Sequence, residues 1–177
     1  FYTSEKEQAD YIRKQRVAAR HTARDKPLAF KEMRILNNAQ SKIDICKKML
    51  FNLKEKRYLV FAGDHKTSQK ISKYIFNSKT KDDYFKKFHD EQIPHLVLLN
   101  KASTGTTYEN LDGCILLAVN GSNVDVLQRI LRSILFRPNY VADIRILISK
   151  DTIQKKWITK ALADLDQSKI EFKDYEQ

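Results

Sequence analysis

Residues 96–138 read LVLLNKASTGTTYENLDGCILLAVNGSNVDVLQRILRSILFRP, and the fold turns on this stretch. It holds two apolar runs, LVLL at 96–99 and CILLAV at 114–119, each short and bounded by turn residues. Short, continuous apolar runs are how strands buried on both faces of a parallel sheet read. Between them lies a polar loop, NKASTGTTYENLDG, with Gly105 inside a Ser/Thr cluster. After the second run, Ser122 or Asn123 offers an N-cap. VDVLQRILRSIL follows, with Val124, Leu127, Leu131 and Leu135 at the spacing of one helical face. The unit is strand, polar loop, strand, helix, and the helix carries Gln128, Arg129 and Arg132.

A polar loop leaving the carboxyl end of a buried strand is where an open α/β sheet binds ligands. A helix beyond the second strand brings guanidinium groups to the same edge, and the planar, permanently charged fork of Arg suits phosphate. In this order the residues resemble motifs V and VI of superfamily 2 helicases, in their second RecA-like domain. The family's motif VI is Q-x-x-G-R-x-x-R. Here Gln128 and Arg132 stand at the Gln and the first Arg, Leu131 at the Gly and Leu135 at the last Arg, with Arg137 two residues on. Asn100 to Asp112 resembles motif V, with Gly105 at the family glycine. Arg57 to Phe61, followed by AGDHKTS, resembles the strand and loop of motif IV. The wording STGTTYENLDGCIL is most similar to DNA-repair and phage-type helicases.

The resemblance implies an α/β, RecA-like (P-loop NTPase-type) domain with a mainly parallel central sheet flanked by helices. It also implies that ATP and Mg²⁺ bind between this half and an N-terminal RecA-like domain of the same parent chain, with neither held by this chain alone. Arg132, and Arg137 if the helix ends early, would act as arginine fingers, stabilising charge on the transferring phosphoryl group. Gln128 would link the finger to the γ-phosphate or its water, and Gly105 and Thr107 would face the nucleotide. Gly63, Lys66, Asn100, Ser103 and Thr104 would touch the phosphodiester track, DNA rather than RNA, without reading its sequence. The resemblance leaves a second reading, a noncatalytic nucleic-acid-binding module with a degenerate helicase fold, which Leu131 and Leu135 favour. A third is a protein-interaction domain with a merely basic surface.

The totals agree with an intracellular nucleic-acid partner. The chain has 177 residues, 42% hydrophobic and 31% charged, with a formal net charge of +11 and a pI near 9.6. Length and composition suit one globular domain with an appendage, not a disordered chain. Residues 1–60 hold 15 Lys/Arg against 7 Asp/Glu, and such an imbalance points to an acidic partner. Cys46 and Cys114 lie apart in apolar patterns, which reads as buried thiols in a reducing interior, cytoplasmic or nucleoid-associated, rather than a disulfide scaffold. No apolar run is long enough for a membrane helix. The chain opens FYTSEKEQ, with neither a signal-peptide pattern nor an initiator Met, so we expect a piece of a longer protein. The expected division is a helical extension or interdomain connector at 1–28 and the RecA-like domain at 29–177.

Other elements follow from local pattern. A connecting helix, solvated on most sides, is expected over residues 4–20 with Ser4 and Glu7 as a capping box. LAFKEMRIL reads as a short helix after Pro27. SKIDICKKMLFNLKE reads as a longer one with Ile43, Cys46, Leu50 and Leu53 on one face. Thr67 or Ser68 is expected to cap the next helix, and residues 74–78 to form a short strand. A helix over KTKDDYFKKFHDEQ turns Tyr84, Phe85 and Phe88 inward. ADIRILIS is a further strand, and a helix capped by Asp151 or Thr152 runs to Asp166 with Trp157, Ala161 and Leu165 facing the core.

Two superficial motifs fail on chemistry. A Walker loop needs G-x-x-x-x-G-K-[ST], because a wide run of backbone N–H groups wraps the phosphates. In GDHKT, His65 precedes Lys66 and Val60 stands where the first glycine belongs. His89-Asp90-Glu91 ends a charged helix rather than a buried strand, and the four histidines lack ligand spacing, so no metal site is expected.

Overall fold

The computed structural model describes residues 5–18, 25–76, 83–99, 108, 110–133 and 140–175, without side chains at 5–7, 18, 25–27, 123, 132 and 133. Five strands form the sheet: β1 (Tyr58–Ala62), β2 (Ile75–Phe76), β3 (His95–Leu99), β4 (Gly113–Leu116) and β5 (Asp143–Ile146). Their order is β2-β3-β1-β4-β5 and every pairing is parallel. The expected α/β architecture is therefore present, with β1 central: Tyr58 lies opposite both His95 and Gly113.

Alternation along the strands builds two separate cores. Leu59, Phe61, Leu96, Leu98, Cys114 and Leu116 face one way. They pack on Phe88 of α5 (Tyr84–His89), Val126 and Ile130 of α6 (Asn123–Ser133), and Ile158 and Ala161 of α7 (Ile153–Ala161). Tyr58, Val60, Ala62, Val97 and Ile115 face the other way, onto Ile43, Cys46 and Leu50 of α3 (Gln40–Asn52) and Ile71 of α4 (His65–Ile71). Period-two side chains covered by helices on both faces are what a doubly wound sheet requires. Both cysteines are free and buried, and burial pushes the Cys46 thiol up to about 12.

The first two helices are better packed than the sequence suggested. α1 (Glu5–Ala18) lies against α2 (Asp25–Asn37), burying Ala9 and Ile12. Arg16 reaches Glu32 of α2 at 2.7 Å, and that carboxylate is almost fully buried. α1 is thus one arm of a hairpin, with Tyr11, Arg13, Lys14 and Val17 exposed. α2 starts before Pro27, whose missing N–H falls in the first turn, where no intrahelical partner is lost. The residue-28 division falls inside this helix.

Three local expectations are corrected. Asp64, not Thr67 or Ser68, caps α4: its carboxylate accepts the Thr67 backbone N–H at 2.8 Å, starting the helix earlier. On α6 the side toward the sheet is Val126 and Ile130, while Val124 and Leu131 are each 61% exposed. α7 is capped by Thr152 but ends at Ala161, leaving Leu165 on the surface, with Ile158 and Leu162 buried in the core.

The amino edge of the sheet is charged. Arg57 donates its backbone N–H to Asp112 at 2.7 Å, and its guanidinium bonds Glu91, the Phe88 carbonyl and the Asn110 carbonyl. Tyr58 Oη donates to Asp143 at 2.7 Å, and Arg145 holds the same carboxylate oxygen at 2.7 Å. Gly113 sits so close to β5 that a Cβ there would meet the Asp143 carbonyl oxygen at 1.9 Å.

Candidate functional site

The carboxyl edge of the sheet brings together the loops after β1 and β4 and the start of α6. Position along α6 is set by its buried side. Val126 and Ile130 enter the core, and Arg129, only 7% exposed, donates from Nη1 to the Ala118 carbonyl at 2.6 Å. Its guanidinium also lies 6.0 Å from the Phe61 ring centroid. Burial lowers the Arg129 pKa, opposed by the Asp125 charge. An arginine still holds its proton at neutral pH. Arg129 therefore clamps α6 to the end of β4. Ahead of it, Ser122 Oγ accepts the Asp125 N–H at 3.3 Å and Asn120 bonds Asp125 at 2.8 Å, ordering the turn that feeds the helix.

Gln128 is exposed on α6. The position of Arg132 lies one turn further along the same helix, and residues four apart share a helical face. Of the three polar residues noted on this helix, the structure assigns Arg129 to packing and leaves Gln128 outward. The Arg132 side chain lies outside the described residues, as do Arg137, Asn100, Ser103, Thr104, Gly105 and Thr107. Of the motif V-like stretch, Tyr108 and residues 110–112 are described.

The loop after β1 is fully placed. A Cβ on Gly63 would stand 2.9 Å from Asn38 Oδ1, so the absence of a side chain lets the α2–α3 corner approach. Asn38 Nδ2 donates to Asp64 at 2.7 Å, and Thr67 Oγ1 donates to Asn38 at 2.9 Å. Ser68 is buried and donates to the Asp64 carbonyl at 2.8 Å. Lys66 is exposed beside this knot. Gly63 and Lys66 are therefore adjacent at the edge, whereas the Ser68 hydroxyl is turned inward onto backbone.

Sequence reasoning missed a buried polar network under the same edge. Asn37 exchanges two hydrogen bonds with the Val119 backbone, each at 3.0 Å. Gln154, fully buried on α7, donates to Asn37 Oδ1 at 2.9 Å and accepts from Lys42 Nζ at 2.7 Å and the Ser149 N–H at 3.0 Å. Burial pushes the Lys42 amine down to about 7. These side chains tie α2, α3 and α7 to the end of β4. Their only sequence signal was the pair of amides at an interhelical corner, Asn37-Asn38.

Among the described residues, no group of three or more His, Cys, Asp or Glu could hold a metal, and no helix is long and apolar enough to cross a membrane. His89 and Asp90 form an exposed pair at 3.6 Å.

No family model and no curated protein matches the chain. Solved structures do match in shape. The C-terminal part of the Fun30 ATPase domain superposes with a TM-score of 0.56 at 22% identity, covering 68% of this chain and 44% of that one. Domain 2 of the DEAD-box helicase Mss116p, bound to an RNA duplex, gives 0.53 at 17% identity, covering 70% and 55%. A DEAD box protein from the hyperthermophile Methanococcus jannaschii gives 0.57 at 15% identity, covering 70% and 37%. The chain thus spans about half or less of the length of these structures. Its five-stranded parallel sheet, flanked by helices and matched to those domains, gives this chain a RecA-like α/β fold.

Proposed function

We propose that this chain is the C-terminal motor half of an ATP-dependent nucleic-acid helicase or translocase. The observation that carries the reading is the division of labour on α6. Arg129 and the apolar residues fix the helix to the sheet, and Gln128 stands outward one turn before Arg132. ATP would be the substrate, bound between this edge and a first RecA-like domain that supplies the phosphate-wrapping loop and the Mg²⁺ carboxylates. Arg132 would stabilise the transferring phosphoryl group and Gln128 would orient the attacking water. The loop after β1, with Gly63 and Lys66, would contact the phosphate backbone. DNA is the proposed track. Of the similar solved structures, Mss116p domain 2 is bound to an RNA duplex.

One observation favours a second reading. Leu131, where the family has Gly, is 61% exposed. A bulky apolar residue facing the cleft would hinder closure and suits a domain that binds nucleic acid without turnover. Steady-state ATPase of the two-domain parent at saturating DNA separates the two. Arg132→Ala should slow hydrolysis by about 10²–10³-fold with nucleic-acid affinity kept. Near-normal turnover would refute the finger, and no turnover in the unaltered parent would leave the binding module.

A further inference from the structure

The α1–α2 hairpin lies outside every motif considered above, yet its outer side runs directly into the loop after β1. Phe30, Arg34 and Asn38 lie four residues apart, so they form one stripe along α2 and into the α2–α3 corner. The stripe ends at the functional edge, where Asn38 bonds Asp64 and Thr67 and touches Gly63. Phe30 is 67% exposed, an unusual state for a phenylalanine on a packed helix. The Arg34 side chain is 74% exposed, and its charged neighbour Asp64 is 3.9 Å away, beyond hydrogen-bond reach.

Cations outnumber carboxylates around the stripe. Lys31, Arg34, Lys66 and Lys70 are exposed there. Two carboxylates lie nearby and are held by neutral donors: Asp64 accepts from Thr67 and Asn38, and Asp44 accepts from Gln40. An exposed aromatic ring amid basic side chains is the arrangement that holds single-stranded nucleic acid, with a base stacked on the ring and phosphates on the cations. A purely apolar protein partner would strand those cations. Phe30 and Arg34 are separated by about 6 Å along the axis, so a strand crossing the ring leaves a phosphate near Arg34 before it reaches Lys66.

We propose that Phe30 and Arg34 form a ledge on α2 that stacks one base and one phosphate of a single strand, extending the track from the loop after β1. The inference rests on the nucleic-acid reading above. Both side chains are largely exposed, so their replacement leaves the fold intact.

The test is fluorescence anisotropy of a labelled oligothymidylate with the 177-residue chain across a salt series. Phe30→Ala should weaken binding about tenfold without changing the salt slope, and Phe30→Tyr should restore it. Arg34→Ala should reduce the slope of log affinity against log salt by about 0.7. Lys66→Ala weakening binding while Phe30→Ala and Arg34→Ala leave it unchanged would overturn the ledge and keep the nucleic-acid reading. An effect of Arg34→Ala no larger than that of Lys160→Ala on α7 would mean diffuse attraction, and would also overturn the ledge. No binding by the unaltered chain at low salt would overturn ledge and reading together.

Discussion

The two edges of the sheet are built from different chemistry. At the amino edge, charged groups meet near water: Arg57 with Glu91, and Arg145 with Asp143 and Tyr58. Burial raises the Asp143 pKa, but hydrogen bonds from Arg145 and Tyr58 outweigh it and hold the carboxyl below its ordinary value. At the carboxyl edge, neutral amides meet in the dry interior, with Asn37 and Gln154 bonded to backbone and to each other. Water screens the first kind of contact, so each is worth little. In the second kind, losing one member strands the others without solvent, so each is worth more and fixes shape more tightly. The edge that carries the proposed chemistry is thus the one held by directional, unscreened bonds.

The largest effect should come from the amino edge, for a reason that is not electrostatic. Gly113→Ala forces a methyl into the Asp143 backbone, which neither strand can yield without losing pairing. It should destabilise by more than about 3 kcal/mol, read by urea denaturation. A small effect would mean that β4 and β5 are less tightly paired than described.

Gln154→Leu should come next. It removes partners from Lys42, Asn37 and the Ser149 N–H at once. We expect a loss of about 3 kcal/mol. Asp143→Asn measured beside it should cost less than about 1 kcal/mol, since its ion pair is more than a third exposed. Equal losses would erase the distinction between the two edges.

A further test sharpens the comparison through pH. Unfolded Lys42 keeps its proton up to about 10.5, whereas in the fold it releases it at about 7. Above pH 7 the unfolded chain therefore binds more protons, and stability should rise with pH by up to about 1.4 kcal/mol per unit. Cys46 acts in the opposite sense. Its thiol ordinarily titrates near 9.0 and is held protonated to about 12, so stability falls above pH 9. The rising window is pH 7 to 9, clear of His95, which burial pushes down to about 4. Lys42→Met should flatten that window in stability measured by denaturation across pH. An unaltered slope would place the proton elsewhere.

The strands were legible because burial on both faces leaves an unmistakable run, as in YLVFA and CILL. The exposed side of α6 was not. VDVLQRIL carries one apolar stripe at 124, 127 and 131 and another at 126 and 130. Periodicity cannot choose between them, because the choice is made by the Ala118 carbonyl that Arg129 reaches. Asn37, Lys42 and Gln154 were illegible for a related reason. A buried amide or amine looks like a surface residue until its distant partner is known. Of the expected site, Gly63 and Lys66 lie in the loop and helix start after β1 and Gln128 is exposed on α6, while the residues expected from motif V fall outside the described part.

The bond between Gln154 and Asn37 joins residues 117 apart in sequence. Closing so wide a loop is entropically late work for a folding chain. Synthesised from its amino end, the chain can form the α1–α2 hairpin and lay β3 beside β1 long before α7 exists. Until α7 arrives, Asn37 lacks its amide partner and Lys42 its acceptor. β4, an almost wholly apolar strand, meanwhile waits for β5 with one edge open. The interval between the emergence of β4 and of Gln154 is therefore when a nascent chain is most exposed to aggregation.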